Sequence, residues 1–273
     1  IKCKCYTSRY TMKVNVGKTE TYVYNRVLEA CKGSGNQIEK DKLAEAVFEE
    51  LQAEEDVEPD KITFTTMMSI CTNSKKPQKS LHYFKKMKSH QKDFASYGAA
   101  IFACKEAGEP VHAYNILLEM EAKGRKERKI LPDIKRYNQA LMACANAASL
   151  EGIETAQSIF SHIKKRFKKG HSKIEPDIYS YNTMLTVYDK CGKPDLAVDL
   201  LQGMEVETSG RISPDIFSYN ITMGCLASQG KRKMLDAVWE QMESQGIKGD
   251  SVSWNTVLTL FETEGDAEGA LKF

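Results

Sequence analysis

The sequence predicts an all-α protein, an α-solenoid of stacked helix-turn-helix repeats. Three observations carry this: a recurrent Pro-Asp phrase, confinement of every proline to two phases, and helical apolar spacing between those marks. The phrase reads Glu-Pro-Asp-Ile-Tyr-Ser-Tyr-Asn at 175–182 and Ser-Pro-Asp-Ile-Phe-Ser-Tyr-Asn at 213–220. It recurs as Leu-Pro-Asp-Ile-Lys-Arg-Tyr-Asn at 131–138 and, more loosely, as Glu-Pro-Asp-Lys-Ile-Thr-Phe-Thr at 58–65. Taking the residue after the Asp as position 1 divides the chain into units 21–60, 61–93, 94–133, 134–177, 178–215 and 216–250, with a partial seventh at 251–273. Residues 1–20 fit poorly and read as an N-terminal extension or cap to the array 21–273.

Within each unit the elements follow from local chemistry. Positions 1 to about 13 carry helical apolar spacing, as in Tyr181, Met184, Leu185 and Tyr188. Position 15 is Gly35, Gly108, Gly192, Gly230 or Gly265 in five of seven units, a residue suited to the left-handed end of a helix. Pro77, Pro110 and Pro194 all stand at position 17, where the fixed φ of proline suits a first helical turn. The second helix repeats small, large, large at i, i+4, i+7: Ala44/Phe48/Leu51, Ala113/Leu117/Met120, Ala156/Phe160/Ile163 and Ala197/Leu201/Met204. Pro59, Pro132, Pro176 and Pro214 precede the closing Asp, an N-cap for the next first helix. A single hairpin cannot bury its apolar stripe, whereas stacked neighbours share one, and the first helices should line one face. Extra residues after the second helices of units one, three, four and five are expected to form surface loops.

Composition removes other classes. With 39 Lys+Arg against 37 Asp+Glu the chain lacks the bulk positive charge of a histone-like binder. No apolar run approaches the ~18 residues that cross a bilayer, so no membrane role is expected. The eight cysteines are scattered, and Cys31, Cys71, Cys104 and Cys144 share position 11, which marks them as small buried residues rather than metal ligands. Cys3-Lys4-Cys5 is too slight a signal for a metal. The five His have no recurrent acid partner, and the chain has no deaminase signature, phosphate-cradling loop or nucleophile elbow. We therefore expect no enzyme, cofactor or metal. No basic-then-apolar leader opens the chain, so any targeting peptide is expected to have been removed or not included. The last unit breaks off within a helix, leaving room for a further domain after Phe273.

Charge is patterned. Residues 75–92 hold seven Lys and no acids, 161–174 six Lys/Arg and no acids, and 39–60 ten acids against two Lys. The basic runs read as solvated faces near helix C-termini, or alternatively as contacts to an RNA backbone.

Tyr-Asn at positions 4 and 5, Gly at 15 and the terminal Pro-Asp, as in Tyr181-Asn182-Thr183-Met184-Leu185 followed by Lys190-Cys191-Gly192-Lys193-Pro194, resemble the pentatricopeptide repeat family over about 21–273. The Trp, Leu-Gly and Tyr series of tetratricopeptide repeats is missing. The resemblance implies a right-handed superhelix that binds single-stranded RNA in a chloroplast or mitochondrion, acting in RNA processing, stabilisation, splicing or translation. It also implies one base per repeat, read by position 5 and the unit's last residue: Asn25/Asp60, Thr65/Asp93, Gly98/Asp133, Asn138/Asp177, Asn182/Asp215 and Asn220/Asp250, with Asn255 opening a seventh pair. By the family's rule Asn with Asp favours uracil over cytosine and Thr with Asp favours guanine, and Gly98 should leave the third repeat nearly blind. The expected target is pyrimidine, G, any, then three pyrimidines. Position 2 would sandwich the bases through Tyr22, Ile62, Tyr179, Phe217 and Val252, with Ala95 and Lys135 a weaker clamp between.

The residues themselves leave a second class open. The closing Asp residues would serve as N-caps without any RNA, although Asn at position 5 is a poor helix-interior residue with no evident structural reason. The alternative is a helical scaffold that makes protein contacts in an organellar ribosome or transcription complex.

Overall fold

The computed structural model describes residues 21–32, 37–54, 57–170 and 174–272. Gly35, Cys3, Cys5, His171 and the extension 1–20 lie outside them. The described residues form hairpins of α-helices: α1 (Thr21–Cys31) with α2 (Gln37–Ala53), α3 (Lys61–Asn73) with α4 (Pro77–Lys86), and α5 (Phe94–Ala107) with α6 (Pro110–Gly124). There follow α7 (Ile134–Ala147) with α8 (Leu150–Lys168), α9 (Ile178–Lys190) with α10 (Pro194–Thr208), α11 (Ile216–Ser228) with α12 (Arg232–Ser244), and α13 (Ser251–Glu264) with α14 (Ala267–Lys272). Two short 3-10 turns, Ser89–Gln91 and Arg128–Ile130, lie between hairpins.

Each helix end has a local cause. Asp60, Asp93, Asp133, Asp177, Asp215 and Asp250 cap α3, α5, α7, α9, α11 and α13, each carboxylate accepting the backbone N–H three residues on. In five of these helices the Ser or Thr at that third position also accepts the cap's own N–H, closing a capping box, and α7 with Arg136 there is the exception. Pro77, Pro110 and Pro194 open α4, α6 and α10. In every described turn that follows a first helix, position 15 is left-handed even without glycine: Lys75 and Ala148 adopt φ 57° and 46°, beside Gly108, Gly192, Gly230 and Gly265.

First helices pack on one another in an unbroken row, α1, α3, α5, α7, α9, α11, α13, and contacts between successive second helices are sparser. Closer packing on one side curves a stacked array toward that side, which makes the first helices the inner row. Ala44, Ala113, Ala156 and Ala197 are fully buried at the helix crossings, and Phe48, Leu117, Phe160 and Leu201 fill the space beside them. Cys31, Cys71, Cys104 and Cys144 join this core, and burial pushes the thiols of Cys71, Cys104 and Cys144 up to about 12. Extra chain length is taken up partly by helix: α2 and α8 run to 17 and 19 residues.

The charge runs are not loose faces. The acidic stretch on and after α2 pairs with the basic stretch of the next hairpin through Asp41 with Lys76, Glu45 with Lys79, and Glu58 with Lys88 at 2.7 Å. Further along, Glu121 on α6 is buried and accepts from the Tyr137 hydroxyl of α7, with His162 Nε2 of α8 at 2.8 Å and Arg166 Nη1 at 3.4 Å. Burial alone would raise the Glu121 carboxyl, but hydrogen bonds from His162 and Tyr137 and the positive charge beside it hold it below its ordinary value. The outer layer is therefore tied by ion pairs from one hairpin to the next.

Candidate nucleic-acid interface

The inner row of helices presents two features at the repeat spacing. The first is a hydrogen-bonded knot at the seam between successive first helices. Asn25, Asn138, Asn182 and Asn220 each donate Nδ2 to Oδ1 of the Asp capping the next first helix, Asp60, Asp177, Asp215 and Asp250, at 3.0–3.2 Å. Each Asn Oδ1 in turn accepts from the hydroxyl at the third position of that helix, Thr63, Ser180, Ser218 or Ser253, at 2.6–2.8 Å. The same hydroxyl accepts the cap's N–H and lies within reach of its carboxylate.

This knot supplies the structural reason for Asn that sequence reasoning did not find. The amide satisfies a cap on the neighbouring repeat, and the missed partner is the Ser or Thr 33–42 residues on, which recurs as regularly as the Asn. Asn25 and Asn138 are 7% and 4% exposed, and Asn182 and Asn220 are half-buried. One amide N–H and one oxygen lone pair remain on each Asn. The capping carboxylates use Oδ1 throughout, so among the described residues Oδ2 of Asp60, Asp177, Asp215 and Asp250 has no hydrogen-bond partner. Burial raises the Asp60 carboxyl, yet the Thr63 N–H and the Asn25 amide outweigh it and hold it below its usual value. The Ser253 N–H and Asn220 amide do the same for Asp250.

At the other two complete pairs, Thr65/Asp93 and Gly98/Asp133, no such knot links the two residues. Thr65 Oγ1 donates to the carbonyl of Lys61 on its own helix, and Asp93 faces Lys61 at 3.5 Å. Gly98 is buried, and Arg136 covers it. Asn255 is exposed.

The second feature is a stripe of exposed side chains at position 2 of the first helices. Tyr22, Ile62, Tyr179, Phe217 and Val252 are all more than half exposed, with Phe217 at 66%, and Ala95 and Lys135 continue the stripe between them. Clefts open beside the stripe, and one of them also takes in a knot. One of about 300 Å³ between α7 and α9 is lined by Lys135, Asn138, Gln139, Met142, Asp177 and Tyr179. Gln139 Oε1 is buried there without a hydrogen-bond partner. A second cleft, about 660 Å³, lies between α11 and α13 and is lined by Val252, Asn255 and Thr256. The cleft between α7 and α9 sets an apolar and cationic wall beside amide and carboxylate edges, the combination that takes a flat ring carrying hydrogen-bonding groups, and the second cleft offers an apolar wall with the Asn255 amide and threonine hydroxyls. No group of three or more His, Cys, Asp or Glu among the described residues is arranged to hold a metal.

Comparison with known proteins agrees with this architecture. The chain matches the family described as pentatricopeptide repeat domain over residues 12–73 and 168–232, and the pentatricopeptide repeat itself over 62–91 and 95–125. It is 26% identical to a pentatricopeptide repeat-containing protein of Arabidopsis thaliana over 96% of its own length and 32% of that protein. A chloroplastic pentatricopeptide repeat-containing protein of the same plant is 24% identical over 75% of the chain and 21% of its own length. The crystal structure of the pentatricopeptide repeat protein PPR10 from maize superposes with a TM-score of 0.63 at 25% identity, covering 89% of this chain and 32% of that one. The chain thus spans about a third or less of these relatives. On the matched repeats and the helical solenoid together, the chain belongs to the pentatricopeptide repeat family.

Proposed function

We propose that the chain binds single-stranded RNA along its inner row of helices, one base per repeat, and serves organellar RNA processing, stabilisation, splicing or translation. Each base lies between successive position-2 side chains and meets the free edge of an Asn–Asp knot. The observation that carries this reading is the exposed apolar stripe in register with those knots, since nothing in the described protein covers it. Stacking on such side chains contributes ~1–3 kcal/mol per base and tolerates sequence, leaving preference to the edge contacts. The spare N–H and lone pair of each Asn amide suit the alternating donors and acceptors of a uracil edge, so a pyrimidine-rich, U-preferring strand is the expected ligand. A chloroplastic relative supports the organellar setting.

The stripe is also where the test is cleanest, because Tyr179 and Phe217 have no fold to support. Fluorescence anisotropy with U-rich and A-rich single strands should show tighter binding to the U-rich strand. Tyr179→Ala and Phe217→Ala should each weaken it by about ten-fold with an unchanged melting curve. Equal, weak affinity for both strands, insensitive to these substitutions, rejects the reading and favours a scaffold with protein partners.

A further inference from the structure

Two seams of the inner row lack the Asn knot, and at one of them a different pair of residues fills the space. At four seams an Asn faces a Ser or Thr on the next first helix. Between α5 and α7 the pair is Gly98 and Arg136. The substitutions are complementary in space: a Cβ placed on Gly98 would lie 2.8 Å from Arg136 Nε, 3.0 Å from Nη2 and 3.2 Å from Cζ. The guanidinium therefore occupies the seat that the position-5 side chain takes in other repeats. Its plane lies over the Phe94 ring, with Cζ 4.5 Å from the centroid, which fixes its orientation.

That guanidinium is short of partners. Nε is buried with no hydrogen bond, and the nearest carboxylate oxygen, Asp133 Oδ1, lies 3.9 Å from Nη1. No side-chain hydrogen bond from Arg136 reaches any described residue. A planar cation with five donors, mostly buried and oriented but unsatisfied, is costly unless an acceptor arrives.

We propose that Arg136, seated in the space left by Gly98, is the base-reading side chain of the third repeat and selects guanine there, in place of the indifference expected from glycine. The inference rests on the RNA-binding reading above. Guanine offers the complement: O6 and N7 accept from the fork of an arginine, and the N1 and N2 donors suit the nearby Asp133 carboxylate. Uracil and adenine present no pair of adjacent acceptors to the fork; cytosine presents one but adds a donor on one side only.

The experiment titrates single strands that differ only at the nucleotide aligned with this seam, with a second set varied at the nucleotide aligned with α9 and α11. The wild-type chain should bind guanine at the first position about ten-fold tighter than the other three bases. Arg136→Lys, which keeps the charge but loses the fork, should flatten that preference and leave the second position unchanged. Gly98→Asn with Arg136→Ser rebuilds the arrangement of the other seams and should turn the preference to uracil, with helical circular dichroism confirming the fold. Indifference or a cytosine preference at the first position, with discrimination kept at the second, overturns the role of Arg136 alone. Indifference at both positions overturns it together with the RNA-binding reading.

Discussion

Asn182, proposed to meet a base, is first of all a structural residue. Its amide links Asp215 and Ser218 of the next repeat, so removing it frees a buried hydroxyl and takes one donor from the capping carboxylate. Hydrogen bonds of this kind contribute about 0.5–1.5 kcal/mol each. Asn182→Ala should therefore lower unfolding stability by about 1–2 kcal/mol in urea titration without any RNA present. The repetition of Asn was legible in the sequence, but its purpose was not, because the partner hydroxyl sits one full repeat away and Ser attracts no notice in a capping position. The Gly98–Arg136 exchange was hidden for the same reason. Each residue looks like a local deviation until the fold sets them side by side.

At the scale of the element, short-range rules made the helices readable. Asp caps, prolines at helix starts and left-handed turns are decided within a few residues, and each appears where its side chain demands. The turn after α7 tests that logic, because Ala148 takes φ 46° in a position occupied by Gly in four other described turns. A left-handed alanine carries a steric cost of about 1–2 kcal/mol, offset in part by the greater freedom of glycine in the unfolded chain. Ala148→Gly should raise stability by about 0.5–1 kcal/mol, visible as a higher urea midpoint with an unchanged slope.

The joint between α6, α7 and α8 responds to pH instead. The Glu121 carboxyl sits below its ordinary value of 4.5 in the folded chain, so its stabilising contribution is complete above that pH and is lost as pH falls through the folded value. Glu121→Gln should be less stable than the parent at neutral pH. The difference should shrink as urea titrations are carried down through pH 4. None of this was visible in sequence, where Glu121, Tyr137, His162 and Arg166 fall in three different helices.

Over the whole molecule, two seams run in parallel. The inner one joins first helices through neutral amides, hydroxyls and capping carboxylates, and the outer one joins hairpins through ion pairs. Composition and phase foretold an array but not this division of labour, since near-zero net charge is silent about which charges face each other. The division changes what the basic runs can contribute to binding. Lys76, Lys79 and Lys88 are engaged by acids of the preceding hairpin and Arg166 by Glu121. Lys135 stands on the inner stripe, lines the cleft between α7 and α9, and has no ion pair among the described residues. If the inner stripe carries the strand, each phosphate neutralised there releases counterions and adds about 0.7 to the slope of log affinity against log salt. Lys135→Ala should then reduce that slope by about 0.7 in anisotropy titrations across a range of potassium chloride concentrations. Lys79→Ala removes the same formal charge from an exposed outer pair, so it should leave the slope unchanged and shift stability by less than about 1 kcal/mol. A slope that falls with Lys79 and not with Lys135 would move the nucleic acid to the outer layer and empty the inner stripe of its role.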